Sequence, residues 1–260
     1  MRKICVINHK GGVGKTTTAV NLAAGLAING RSVLIVDLDA QGNVNSCLEA
    51  DNHNDIFNFL TEKISLQECI CRLGKNLDIL KSDKKLAEVE IYMTGEKGKE
   101  HFLKEKLETI KGYDYVIVDC PPSLNLFNRN ALLYCDEAII PVSTDPLGYE
   151  ALEKMVAFIK NINDLYDHDI RITKIVPTLY DSRSNICKRM LKRMQDCYPT
   201  LTTDPIRTST KLKEAPMAKK SIFSYDKKGS AAKDYENVVK LVMRDENLRI
   251  KAVEAVAVVE

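Results

Sequence analysis

The chain has 260 residues, 45% of them apolar and 28% charged, and a formal net charge of only +2. That supplies one large domain with an ample core and a soluble surface. It excludes an integral membrane protein: no apolar run approaches the ~20 residues of a span, and no signal peptide precedes Met1-Arg2-Lys3.

The first apolar run, Ile4-Cys5-Val6-Ile7, predicts a strand over 4–8, and a helix is predicted over 17–29. Between them lies Lys10-Gly11-Gly12-Val13-Gly14-Lys15-Thr16-Thr17. The pattern G-x-x-x-x-G-K-[ST] fits this stretch poorly, because its first glycine would fall at Asn8-His9. The physics of a phosphate loop is nonetheless complete. Gly11, Gly12 and Gly14 let the backbone turn tightly and aim its N–H groups inward, and the following helix N-terminus favours an anion. Lys15 is placed to reach β- and γ-phosphates, Thr16 to ligate Mg²⁺ and Thr17 to donate to the α-phosphate. Lys10 stands where the ordinary motif requires no charge.

The second strand, 33–37, ends in Asp37-Leu38-Asp39-Ala40-Gln41-Gly42-Asn43. Two carboxylates at i and i+2 on an extended segment point the same way, at the edge where open α/β sheets bind ligands. After a strand at 77–80 and helices at 83–91 and 99–110, a strand at 115–119 closes on Asp119, a plausible Mg²⁺-water holder. Any one of these aspartates alone is an ordinary strand-ending turn residue; beside the loop they read as ligands. Helices follow at 125–134, 149–166, 184–197 and 230–246, and strands at 137–142, 171–176 and 201–206. Apolar strands alternating with helices predict an α/β fold, a mostly parallel twisted sheet flanked by helices on both faces, in a single domain over 1–260.

The eight cysteines have neither disulfide nor zinc spacing: Cys69 and Cys71 form C-x-C, Cys5 lies within a strand and Cys120 follows a strand-end aspartate. Free, reduced thiols are expected. The four histidines show no ligand pattern. Charge, by contrast, is segregated. Residues 183–233 hold thirteen Lys/Arg against four Asp/Glu, a local excess of +9 within a chain of +2. On the 184–197 helix, Ile186, Cys187, Met190, Leu191, Met194 and Cys197 share one face and Lys188, Arg189, Lys192 and Arg193 the other. With Arg183 and the later lysines, this predicts a polyanion surface.

The loop Lys10–Thr17, the Asp37–Asn43 segment and Asp119-Cys120-Pro121-Pro122-Ser123 resemble the ParA/Soj group of the MinD/ParA superfamily, P-loop NTPases with a deviant Walker A motif. The resemblance extends through Leu179-Tyr180-Asp181-Ser182-Arg183-Ser184-Asn185, Lys211-Leu212-Lys213-Glu214-Ala215-Pro216, Ser224-Tyr225-Asp226 and Gly229-Ser230-Ala231-Ala232. It covers roughly residues 1–245. It implies a Mg²⁺-dependent ATPase that partitions DNA. ATP would bind Lys10, Gly11, Gly12, Val13, Gly14, Lys15, Thr16 and Thr17, with Mg²⁺ at Thr16, Asp37 and Asp119. Lys10 and Asp39 would be catalytic, Lys10 reaching across an ATP-sandwich homodimer and Asp39 positioning the attacking water. Gly12 would lie where the two loops meet.

The resemblance also implies non-specific double-stranded DNA as a partner. Arg183 and Lys211 match positions where Soj-like proteins carry DNA-binding residues, and Lys188, Arg189, Lys192, Lys213, Lys219 and Lys220 would extend that surface. A ParB-type centromere-binding protein would stimulate hydrolysis. A cytoplasmic, nucleoid-associated protein without a membrane partner is expected, and no helix-turn-helix precedes the ATPase core. The chain departs from the family at Ala40, where Pro is usual, at His9, where Gln is frequent, and at Ala218-Lys219-Lys220-Ser221, where a Gly-Lys-Pro run is common. The alternative is a MinD-like membrane switch, which needs a basic, large-apolar C-terminal amphipathic helix; Lys251–Glu260 has one Lys, two Glu and no aromatic residue. An iron–sulfur protein on the same fold would need loop cysteines shared between subunits or C-x-x-C, and neither is found.

Overall fold

The strands are β1 (Arg2–Val6), β2 (Val33–Asp37), β3 (Ile70–Arg72), β4 (Leu77–Leu80), β5 (Tyr115–Asp119), β6 (Glu137–Ser143) and β7 (Arg171–Thr178). They form one sheet in the order β3-β4-β2-β5-β1-β6-β7, parallel throughout except for the antiparallel β3–β4 pair. The computed structural model describes residues 1–61, 64–93 and 99–257.

β2, β5 and β6 are buried at every position because helices cover both faces of the sheet. On one face, Val116, Val118, Cys5 and Leu34 pack under α3 (Ile56–Thr61), α4 (Leu66–Cys69), α5 (Leu86–Met93), α6 (Phe102–Leu107), α7 (Leu126–Tyr134), α8 (Pro146–Tyr166) and α9 (Asn185–Cys197). On the other, Tyr115, Ile117, Ile4 and Val33 pack under α1 (Lys15–Ile28), α2 (Asn43–Leu48), α10 (Lys211–Met217), α11 (Ile222–Tyr225) and α12 (Ser230–Ala257). Each fully buried Val, Ile or Leu contributes about 1.5–3 kcal/mol of transfer free energy.

The expected fold class is observed, with three local corrections. First, β1 begins at Arg2 rather than at residue 4. Arg2 is buried, bidentate to Glu137 at 2.7–2.8 Å, and it donates to the Val242 carbonyl at 2.6 Å. A buried ion pair hid the start of the strand from a hydropathy reading. Second, 201–206 is not a strand. It touches β7 through Ile175 N–H to Leu201 O (2.8 Å) and Thr203 N–H to Ile175 O (2.9 Å). The next rungs of such a parallel ladder fall on Pro177 and Pro205, neither of which has an N–H. Only isolated bridges remain, at Ile175–Thr202 and Tyr180–Arg207.

Third, short elements were not anticipated. β3 has three residues and forms a tight hairpin with β4, and α2, α3, α4, α10 and α11 have four to seven residues each. Such helices are unstable alone and exist through tertiary packing. α8 begins at Pro146, three residues before the expected start, since Asp145 caps it by accepting from Gly148 N–H at 2.8 Å with proline in the first turn. The expected 99–110 helix is a 3₁₀ turn, Lys99–His101, leading into the six-residue α6. The expectation about the C-terminal tail falls partly on 258–260, outside the described residues. No disulfide joins the described cysteines, and among the described residues no cluster of three or more His, Cys, Asp or Glu side chains could hold a metal.

Candidate active site

The sheet order places β1 between β5 and β6, and β5 between β1 and β2. In register, Asp119 pairs with Val6 on one side and with Asp37 on the other. The phosphate loop after β1, Asp37 and Asp39 after β2, and Asp119 at the end of β5 therefore meet at one carboxyl edge of the sheet. This is where open α/β folds bind ligands.

The loop is fixed from below. Asn8 is buried; its amide donates to Pro141 O at 2.8 Å and its carbonyl oxygen accepts Lys10 N–H at 3.0 Å. Thr178 Oγ1 donates to Val13 O at 2.8 Å. Gly14 sits at φ +87° as the residue before α1, and Gly12 at φ +73° on the exposed tip. These are left-handed conformations that favour glycine. The α1 ladder starts at once, with Thr18 N–H donating to Gly14 O at 2.9 Å, so the N–H groups of the first turn remain free for an anion.

The two loop lysines are held differently. Lys15 is buried, with its ammonium 3.3 Å from Lys10 O. Burial lowers its pKa, opposed chiefly by the negative charge of Asp119. Lys10 instead turns toward β6 and α8, with Nζ 2.9 Å from Asp145 Oδ1 and 3.1 Å from Ser143 Oγ. His9, beside it, has a buried Nδ1 without a hydrogen-bond partner, and its pKa is lowered by burial and by Lys154 and Lys15.

The carboxylates also differ. Asp37 accepts Asp39 N–H at 3.0 Å and Val44 N–H at 3.2 Å. Complete burial still pushes its pKa up, to about 7. Asp119 is also pushed well above the usual carboxylate range, by burial and then by Asp37. Neither of its oxygens makes a well-formed hydrogen bond, and the Thr16 hydroxyl and Lys15 ammonium are its stabilising neighbours. Two buried carboxylates side by side, one of them unpartnered, with a hydroxyl adjacent, are the oxygen donors that a hard divalent cation requires. The residues fit Mg²⁺. Asp39 is nearly buried; its oxygens accept Gln41 N–H at 3.0 Å and the Asn43 amide at 3.3 Å.

The basic residues Arg183, Lys188, Arg189, Lys192, Lys211, Lys213, Lys219 and Lys220 are all exposed. The structure divides them between the two layers, α9 on one face of the sheet and α10 on the other. Part of their charge is met locally. Arg183 lies 2.9 Å from Asp181, Lys192 lies 3.4 Å from Asp196 and Lys211 lies 2.8 Å from Glu214. Lys219 donates to Ser46 O at 3.0 Å. Of the apolar face expected on α9, Met194 is buried, whereas Ile186 remains 47% exposed. A cavity of about 640 Å³ between Ala27, Leu48, Leu77 and Lys220 lies at the C-terminal end of α1, away from the loop.

Residues that sequence reasoning did not single out are Asn8, Ser82, Ser143, Asp145 and Thr178, all of which hold the loop or its carboxylates. Their only signal is position: each lies at or just beyond the carboxyl end of a strand.

A family model described as "AAA domain" matches residues 1–172. The sporulation initiation inhibitor protein Soj of Bacillus subtilis (strain 168) is 34% identical over 245 residues, covering 92% of this chain and 97% of that protein. The chromosome partitioning protein ParA of Myxococcus xanthus (strain DK1622) is 33% identical over 240 residues, covering 90% and 85%. Among solved structures, cobyrinic acid a,c-diamide synthase from Mycobacterium smegmatis, with bound ATP analog and magnesium, superposes with a TM-score of 0.81. It shares 27% identity and covers 95% of this chain and 96% of that one.

Proposed function

The chain belongs to the ParA/Soj family of partitioning ATPases, and on that premise we propose that it is an ATP-driven switch that dimerises face to face, binds DNA without sequence preference and lets go on hydrolysis. The observation that carries this reading is the pairing of two lysines on one loop with three strand-end carboxylates at one sheet edge.

Loop N–H groups and Lys15 neutralise the β- and γ-phosphates. Thr16, Asp37 and Asp119 would hold Mg²⁺, whose charge on the phosphate oxygens offsets that developing in phosphoryl transfer. Asp39 orients the attacking water. Lys10 leaves Asp145 and reaches the phosphates of the second subunit. Gly12, with open space around a Cβ position, lies at the tip where two loops meet. Among the described residues no arginine is bonded to the loop, consistent with slow turnover that a ParB-type partner accelerates in trans. Arg183 and the α9 and α10 lysines contact DNA phosphates, which carry no sequence information. Among the described residues no helix is long and apolar enough to cross a membrane.

The test is sedimentation of the full chain with ATP, ADP and no nucleotide, with and without unrelated duplexes. The expected result is a dimer and co-sedimentation with every duplex, in ATP only. Equal binding in ADP, pelleting with anionic liposomes instead of DNA, or ATP consumption that depends on an added metabolite would each overturn the reading.

A further inference from the structure

The Asp39 backbone is gripped at both ends. Its N–H donates to Asp37 Oδ1 at 3.0 Å. Its carbonyl accepts Gly42 N–H at 2.9 Å and the hydroxyl of Ser82 at 2.5 Å. Ser82 is buried and lies two residues beyond β4, the strand next to β2. Residue 82 touches this loop a second time: Gly42 stands at φ +61°, and a Cβ there would come within 2.9 Å of Ser82 O. The same hydroxyl neighbours the Asp37 carboxylate. One residue just beyond a strand with no role in the phosphate loop thus restrains the Asp39 backbone and lies against Gly42.

We propose that Ser82 is a positioning residue for phosphoryl transfer, its hydroxyl fixing the Asp39 carbonyl so that the Asp39 carboxylate faces the attacking water. This deepens the ATPase reading and rests on it. A purely structural role fits less well. The Asp39 carbonyl keeps the Gly42 N–H as a partner when Ser82 is removed, so no buried acceptor is orphaned and little stability is at stake. What is lost is the second restraint on where Asp39 sits, and small misplacements of a reacting group cost rate rather than binding.

The experiment compares wild type, Ser82→Ala, Ser82→Thr and Lys15→Ala as full chains. Two quantities are read: the single-turnover rate of ATP hydrolysis with Mg²⁺ and duplex DNA, and the affinity for a fluorescent non-hydrolysable ATP analogue. Ser82→Ala should hydrolyse about tenfold more slowly with analogue affinity changed by less than about twofold, and Ser82→Thr should recover most of the rate. An unchanged rate in Ser82→Ala, a matching loss of rate and affinity, or a threonine variant as slow as alanine overturns the proposal. Should Ser82→Ala fail to fold, Ser82→Cys carries the test: its weaker donor predicts a slowed rate, and a wild-type rate overturns the proposal. Failure of the parent reading is distinct. It shows as no ATP turnover in wild type, or as wild-type turnover in Lys15→Ala.

Discussion

Lys10 and Asp145 lie 135 positions apart in the chain and 2.9 Å apart in space. Asp145 does two things at once: it caps α8 through Gly148 N–H and, with Ser143, holds the Lys10 ammonium within its own subunit. Burial works against its ionised form, but hydrogen bonds from Ser143, Lys10 and Gly148 outweigh this and hold its pKa below the usual range. The lysine proposed to reach a second subunit is thereby occupied within its own chain. Both side chains are partly exposed, so the restraint is worth no more than about 1 kcal/mol.

Weakening that restraint should favour assembly. Asp145→Asn keeps a good helix cap but removes the charge. The ATP-dependent dimer should then form at protein concentrations lower by about two- to fivefold. Sedimentation equilibrium with a non-hydrolysable ATP analogue measures the midpoint; an unchanged or raised value would mean that Asp145 does not compete for Lys10. Asp145→Ala is a poorer probe, because loss of the cap costs about 1 kcal/mol of its own.

The two loop lysines should separate binding from assembly. Lys15→Ala removes the buried cation nearest Asp119 and should abolish ATP binding by titration calorimetry. Lys10→Ala should retain nucleotide, since Lys15 and the loop N–H groups remain, yet stay monomeric. A stable ATP dimer in Lys10→Ala would return the loop to the ordinary phosphate-binding type. Asp39→Ala should do the reverse and trap the dimer on DNA, with hydrolysis slowed by about a hundredfold or more and nucleotide affinity retained.

The meeting of the loop, Asp37, Asp39 and Asp119 at one sheet edge was legible because it depends on spacing along single strands and on which end of a strand a polar residue occupies. The residues that hold them were not. Asn8, Ser82, Asp145 and Thr178 act across strand neighbours, and neighbour order is set by topology rather than by sequence distance. The same holds for Arg2, whose Glu137 partner lies on a strand that is adjacent only in the folded sheet. Strand 201–206 was misread because its residue types suit a strand, whereas the prolines that break its ladder with β7 lie on both segments. The eight basic residues were read as one surface; their division between α9 and α10 follows from the route of the chain along the outer strand β7.

Acidity offers a test of the paired aspartates in the nucleotide-free, EDTA-treated protein. Burial raises Asp37 from 3.8 to about 7, and Asp119 is shifted in the same direction. Between those values the folded chain retains protons that the unfolded chain has released. Unfolding free energy should therefore fall as pH rises from about 4 to about 7, with a slope of up to about 1.4 kcal/mol per pH unit for each proton involved. Asp37→Asn should flatten that slope, whatever its effect on absolute stability. Urea midpoints at pH 5, 6, 7 and 8 report it, and parallel pH profiles in wild type and variant would count against a raised Asp37.

The charge partners on the basic surface should make the proposed DNA binding adjustable in both directions. Arg183 is 89% exposed but forked onto Asp181, whose pKa its hydrogen bonds lower to about 2, so the aspartate stays charged at any working pH. Arg183→Glu should weaken binding to every duplex alike and reduce the salt dependence, since log K falls with log salt by about 0.9 for each phosphate neutralised. Asp181→Asn should do the opposite, freeing the guanidinium and removing a nearby repulsive charge without touching the nucleotide site. Lys211→Glu tests the other layer: if α9 and α10 of one dimer engage the same DNA, it should lower the slope as Arg183→Glu does. A slope unchanged by Lys211→Glu would confine the DNA surface to the α9 side. Salt titrations of the three variants and wild type on two unrelated sequences, each with ATP and with ADP, separate these cases, and ATP-dependent dimerisation should be the same in all four proteins.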